Sequence, residues 1–346
     1  MKKQIVALMA SGIILSACNS QQGVTPYNGW NDKNNDTTKT QETASNSTGL
    51  NADGSFDIAM TNEKLNYYVL CLNDHSQEIL NSFDRYASWI DLKNGPTGKE
   101  GYVYGLYKIY KDNKDCVNGI KLAKAMKPDL PEIDKKAEAY GAALEAVTPL
   151  IKEAYDYYDL KNYLDDNFKR GKELHPALVK AWTDFEKAND DLKKDLSDLK
   201  DKLDEQELKR LEETEGKLIP YMTLNLMVIA KQTIHLAEGN DILKIDLAKL
   251  NNKIDEFQLQ LDDLTKYYED NKKTMEFVSL DSYISDCKEF YIAAKDLMRR
   301  VRDKKPYTKD ELQQLSQKSS WVVEGSYGAM IEKYNALVQS SNYIYY

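Results

Sequence analysis

Apolar residues recur in alternating steps of three and four through most of this chain. Leu65, Val69, Leu72, Ser76, Ile79, Phe83, Tyr86 and Ile90 form the first such run. A period near 3.5 lines one stripe of a helix against another helix; a strand repeats every two residues. The second run is Leu178, Trp182, Phe185, Asn189, Leu192, Leu196, Leu199 and Leu203, with Lys, Asp and Glu between its members. The third runs through Leu243, Leu247, Leu250, Ile254, Phe257, Leu261, Leu264 and Tyr268, the fourth through Ile284, Cys287, Tyr291, Ala294, Met298 and Val301. No stretch alternates with period two for long enough to be a strand. The runs share a step pattern but no repeated sequence, so no solenoid is expected. The spacing predicts an all-α fold.

Breakers divide that fold into about seven or eight helices, several long, in an elongated bundle. Asn94-Gly95-Pro96-Thr97-Gly98 is a loop by composition. Tyr102 to Met126 is expected as the second helix, although Tyr102-Val103-Tyr104 alone has the composition of a strand. Pro128 and Pro131 separate it from a third helix, Ile133 to Tyr158, bent at Pro149. Gly216 and Pro220 precede a helix over Tyr221 to Ala237, and Pro306 precedes a last one over Lys309 to Ser341.

The first 60 residues have another texture. Met1-Lys2-Lys3 is followed by an apolar run from Ile5 to Leu15 and then by Leu15-Ser16-Ala17-Cys18. That order matches a bacterial export signal. The cut falls before a cysteine, as in the lipobox of bacterial lipoproteins, so residues 1–17 are expected as signal peptide and Cys18 as the lipid-bearing N-terminus. Residues 18–60, rich in Asn, Asp, Thr, Ser and Gly, are expected as a disordered tether. Some 40 such residues give a root-mean-square reach of roughly 35 Å. Asp32, Asn34 and Asp36 alternate as calcium ligands do, but the central glycine and distal glutamate of that pattern are missing. Asn19, a residue other than Asp after the cysteine, points by resemblance to enterobacterial sorting signals toward the outer membrane. The helical domain is expected over 61–341, in the periplasm or at the cell surface, with a Tyr-rich tail at 342–346.

The formal net charge of −9 disfavours nucleic acid as a partner. With Cys18 given to lipid, Cys71, Cys116 and Cys287 remain, and an exported chain meets an oxidising compartment. Cys71 with Cys116 is the expected pair, since both precede the same early helix junction. Cys287, between Ile284 and Tyr291 at core spacing, is the expected buried free thiol. His75, His175 and His235 have no carboxylate or cysteine at ligand spacing, so no metal and no cofactor is expected. No nucleophile elbow or phosphate-cradling loop is present, so no catalytic residue is assigned and a hydrolase is the remote alternative. Arg299, Arg300, Arg302, Lys304 and Lys305 form the densest positive patch. They are either cations closing a helix C-terminus or a site for an anionic group of a partner. The 24 Tyr against 7 Phe either edge the core or offer rings to sugars or partners.

Tyr86-Ala87-Ser88-Trp89 and Gly95-Pro96-Thr97-Gly98, then Glu215-Gly216-Lys217 and Ala230-Lys231-Gln232, are distinctive segments. So are Arg299-Arg300-Val301-Arg302-Asp303-Lys304, Pro306-Tyr307 and Ser319-Ser320-Trp321-Val322-Val323-Glu324. Through them residues 61–341 resemble the YiiG family of bacterial lipoproteins, a family without established function. The resemblance implies an exported lipoprotein with a helical domain and no particular activity. It fits a cysteine pair at Cys71 and Cys116 and leaves Cys287 as an extra. Trp89 and Trp321, the indoles of these segments, either pack in the core or edge a pocket. The expected function is an envelope lipoprotein, anchored to membrane by its lipid, that binds an envelope protein or cell-wall component. The alternative is capture of a small molecule or glycan between helices, and the oligomeric state is open.

Overall fold

The computed structural model describes residues 49–51, 53–238, 241–273, 280–315 and 320–344. The signal segment, Cys18 and Asp32, Asn34 and Asp36 lie outside the described residues. The described part is all-helical, with nine α-helices and one isolated bridge between Leu50 and Phe56. Two compact units divide the chain at Leu199 and Lys200.

The first unit opens with an ordered turn, so the tether expected to residue 60 stops short of it. Asn51 and Ser55 bond across the turn, and Asp57 accepts from the Met60 amide to cap the first helix. That helix, α1, spans Ile58–Ala87, and α2 spans Lys114–Ala125. Helix α3, Pro131–Asp159, starts with a proline at a position where no amide is needed and runs through Pro149. Helix α4, Lys169–Thr214, gives its residues up to Leu199 to this unit and the rest to the other. Tyr140 on α3 packs on Phe185 of α4 at 5.3 Å, and Phe83 on α1 packs on Trp182 of α4 at 4.8 Å. The Leu178–Leu203 stripe is buried, as its spacing required.

Two devices pin α1 to its neighbours. Cys71 and Cys116 form a disulfide with their Cα atoms 4.8 Å apart. Lys64, with no exposed surface, reaches Asp134 Oδ2 at 2.9 Å and the carbonyls of Pro128 and Met126 at 3.0 and 3.2 Å. Tyr68 donates to the other oxygen of Asp134 at 2.6 Å. Three acceptors for three ammonium protons make this burial tolerable.

The expected helix over Tyr102–Met126 is shorter: it begins only at Lys114. Residues 102–112 form neither helix nor strand instead. Four Tyr, Val103 and Ile109 disfavour helix, and Gly105 takes a left-handed φ of 64° that interrupts one. Burial recurs every third residue there, at half-buried Val103 and buried Leu106 and Ile109.

The second unit packs α5 (Ile219–Leu236), α6 (Leu247–Asn271), α7 (Leu280–Arg302) and α9 (Tyr327–Ser341) around one apolar core. Cys287 is an unpaired thiol inside that core, and burial pushes its ionisation far up. The single last helix expected from Lys309 is two. The short α8, Lys309–Leu315, is followed by a 3-10 turn at Ser320–Val322, and α9 restarts where Ser326 accepts from the Ala329 amide. Gly325, at a left-handed φ of 67°, and the N-cap Ser326 set where α9 restarts, against the apolar spacing that continues through them. The tail docks through Ile344, which joins the core.

Candidate functional site

The motif residues near the end of α1 build an aromatic cluster in the first unit. The Tyr86 hydroxyl and His175 Nδ1 share a hydrogen bond of 2.9 Å, and His175 Nε2 lies 3.1 Å from the Leu92 carbonyl. A carbonyl only accepts, so Nε2 carries a proton. Burial lowers the His175 pKa. Gly95 has a φ of 73°, and a Cβ there would come within 2.8 Å of the His175 ring, so no other residue fits the turn. Trp89 is half-buried, edge-on to Tyr86 at 5.6 Å and to Tyr158 at 5.1 Å.

From this cluster the non-helical segment runs back along α1 as a strap. Trp89 Nε1 donates to the Gly105 carbonyl at 2.9 Å, and Arg85 Nε donates to the Tyr104 carbonyl at 2.7 Å. Ser82 holds the Tyr107 carbonyl at 3.0 Å, Glu78 accepts the Tyr110 amide at 2.8 Å, and Lys111 pairs with Asp74.

Leu106 and Ile109 face in, so the tyrosines face out. Tyr102, Tyr104, Tyr107 and Tyr110 are 76%, 52%, 37% and 79% exposed. Tyr102 stacks on Tyr104 with centroids 6.1 Å apart. The Arg85 guanidinium lies 4.5 Å over the Tyr107 ring, and the Lys108 ammonium sits near both Tyr110 and Tyr155. The result is a set of solvent-facing rings interleaved with cations, on a backbone fixed at four points and flanked by the Lys111–Asp74 ion pair. Composition carried half of this in advance, as the excess of Tyr over Phe. The non-helical backbone that carries the rings along α1 was hidden by the helical reading.

Tyr68, Tyr86, Tyr140, Tyr283, Tyr327 and Tyr334 are instead core residues. The basic segment is a second node. Arg300 is buried, donates to Glu311 at 2.7 Å and to the Glu324 carbonyl at 2.9 Å, and covers the Tyr307 ring at 4.5 Å. Arg300 and the Thr308 amide hold the Glu311 carboxyl down at about 2. Arg299 pairs with Asp296 and Arg302 with Asp303. Lys304 takes a left-handed φ of 48°, and the Lys305 amide bonds back to the Arg300 carbonyl at 3.0 Å, which closes α7. Among the described residues Lys304 and Lys305 are exposed and enter no ion pair. Trp321, 54% exposed, sits on the turn held by this node. Trp89 and Trp321 belong to different units.

Among the described residues no three His, Cys, Asp or Glu side chains converge to hold a metal, and no helix is long and apolar enough to cross a membrane. The crevice lined by Thr233, Ile254, Phe257, Phe290, Tyr291 and Ala294 is too tight for a water, so it offers no ligand space.

A family model described as "Protein of unknown function (DUF3829)" matches residues 59–343. The chain is 35% identical over 287 residues to "Uncharacterized protein YiiG" of Escherichia coli (strain K12), covering 82% of this chain and 79% of that protein. No solved structure matches.

Proposed function

The chain belongs to the DUF3829 family, and on that premise we propose that it is an envelope lipoprotein whose helical domain acts by binding through its tyrosine strap. The observation that carries the binding reading is the strap itself. Four tyrosine rings are kept in solvent on a backbone tied to α1 by Ser82, Arg85 and Glu78 and to Trp89 just beyond it, with the Lys111–Asp74 ion pair at its end. Rigid tyrosines lose little entropy on contact and present both a ring and a hydroxyl, which is why they recur at recognition surfaces.

The anchor part of the proposal rests on the charged start, the apolar run and Leu15-Ser16-Ala17-Cys18. With lipid on Cys18 and about 40 residues before α1, the strap reaches partners well away from the bilayer surface. The outer membrane, with the domain in the periplasm or at the cell surface, is the proposed location. An envelope protein or a cell-wall component is the proposed partner.

The test compares the full-length chain with a form in which Tyr104, Tyr107 and Tyr110 are all serine, after chemical crosslinking in intact cells. The proposal expects the specific adducts to vanish while the melting temperature stays within a degree or two. An unchanged adduct pattern refutes the strap as the contact surface.

A further inference from the structure

We infer that the Lys111 end of the strap is a latch that one proton on His75 releases. The latch does not depend on what the strap contacts. Asp74, just before His75 on α1, pairs with Lys111, and Glu78, three residues after it, accepts the Tyr110 amide at 2.8 Å. One turn earlier Cys71 is bonded to Cys116 of α2, and two turns later Ser82 holds the Tyr107 carbonyl. Positions 71, 75, 78 and 82 follow one another on one helix face in steps of four and three. The chain from Tyr107 to Cys116 is therefore fastened along that face on both sides of His75.

His75 is 3% exposed, and its Nδ1 is a buried nitrogen with no hydrogen-bond partner. Glu78 Oε2 is likewise buried and unpartnered. Asp74 and Glu78 on the same helix and Asp112 on the strap favour a charged imidazole, and Lys111 opposes it. Ser76 bonds to the Tyr140 hydroxyl of α3, which brings no charge. Burial outweighs the carboxylates and lowers the His75 pKa from its usual 6.5. A second proton makes both ring nitrogens donors, and Nδ1 then carries charge where neither an acceptor nor water meets it. The charged ring is also drawn to Asp74 and Glu78, the acceptors that hold the strap.

Released into water, the ring titrates near 6.5; under the closed strap it titrates lower. The closed strap is therefore fully favoured above 6.5 and loses that advantage as pH falls below it. Each tenfold loss of proton affinity on closing becomes about a tenfold gain in open population in acid. His175, at the Trp89 end, also has its pKa lowered by burial, but both of its nitrogens have partners. The release is thus local to the Lys111 end.

The experiment follows amide exchange in the full-length Cys18→Ser chain from pH 7.5 to 5, corrected for the rates of an unstructured peptide. Protection of residues 107–112 should fall severalfold toward pH 5 while α6 keeps its own. His75→Phe, neutral at every pH, should hold the strap's protection across that range; His75→Gln takes its place where His75→Phe does not fold. The His75 ring signal, assigned as the one that either variant lacks, should titrate below 6.5. Protection that does not change with pH, a His75 pKa at or above 6.5, or the same acid loss in the variant overturns the latch.

Discussion

Asp134 illustrates what a single residue does in this molecule. It accepts from Lys64 and Tyr68 at a site where the lysine has no exposed surface. Asp134→Ala leaves a buried ammonium with two carbonyls only. A loss of roughly 3–5 kcal/mol in denaturant unfolding is expected. Glu311 makes the corresponding point in the second unit. Its carboxyl, held at about 2 by Arg300, ionises more readily folded than unfolded, where it titrates near 4.5. A depressed carboxyl stabilises fully above its unfolded value, and that contribution fades as pH falls from 4.5 through 2. Glu311→Gln should therefore lower the melting temperature at pH 7 and flatten its decline in that acid window. Identical slopes for both proteins would contradict the pairing. The cation cluster shows why such roles escape sequence reading. Arg299, Arg300 and Arg302 look alike in the chain, yet Arg300 is buried at a junction of three segments while the other two face solvent with local partners. Which way each points is set by the phase of α7, not by its chemistry.

At the scale of elements, the helical seams were readable because burial and period coincide in them. The stripes of α1, α4 and α7 are where the spacing put them, and that of α6 is from Leu250 to Leu264, while Leu243, 74% exposed, lies before the helix. The strap was not readable, since its buried positions Leu106 and Ile109 are three apart and fit a helix equally well. Only the left-handed Gly105 and the bonds to α1 distinguish the two. Gly105→Ala should destabilise the strap, because a side chain there is strained and its Cβ would press to within 3.3 Å of Tyr158. Tyr110→Ser, at 79% exposure, should leave stability nearly unchanged. Faster amide exchange across residues 102–111 in the alanine variant alone is the expected record. The disulfide that ties α1 to α2 bridges a sequence separation of 45 residues. Reducing it should cost about 4 kcal/mol on the chain-entropy account, read as a shift in the denaturant midpoint.

The whole molecule combines a proposed lipid attachment at one end with a helical domain that carries its aromatic row on one strap of the first unit. The chain carries a formal net charge of −9, and residues 101–111, with Lys108 and Lys111 and no acidic residue, are a local departure from that charge. Cys18→Ser should shift the protein from the membrane to the soluble fraction or leave it as precursor. Retention on membranes after signal cleavage would remove the anchor from the account. The central claim is that this protein contacts its partner through the strap. A photocrosslinking residue placed at Tyr110 in the first unit, and separately at Leu259, 64% exposed in the second, tests it in living cells. The account predicts adducts at position 110 several-fold above those at 259. Equal yields at the two positions would contradict it.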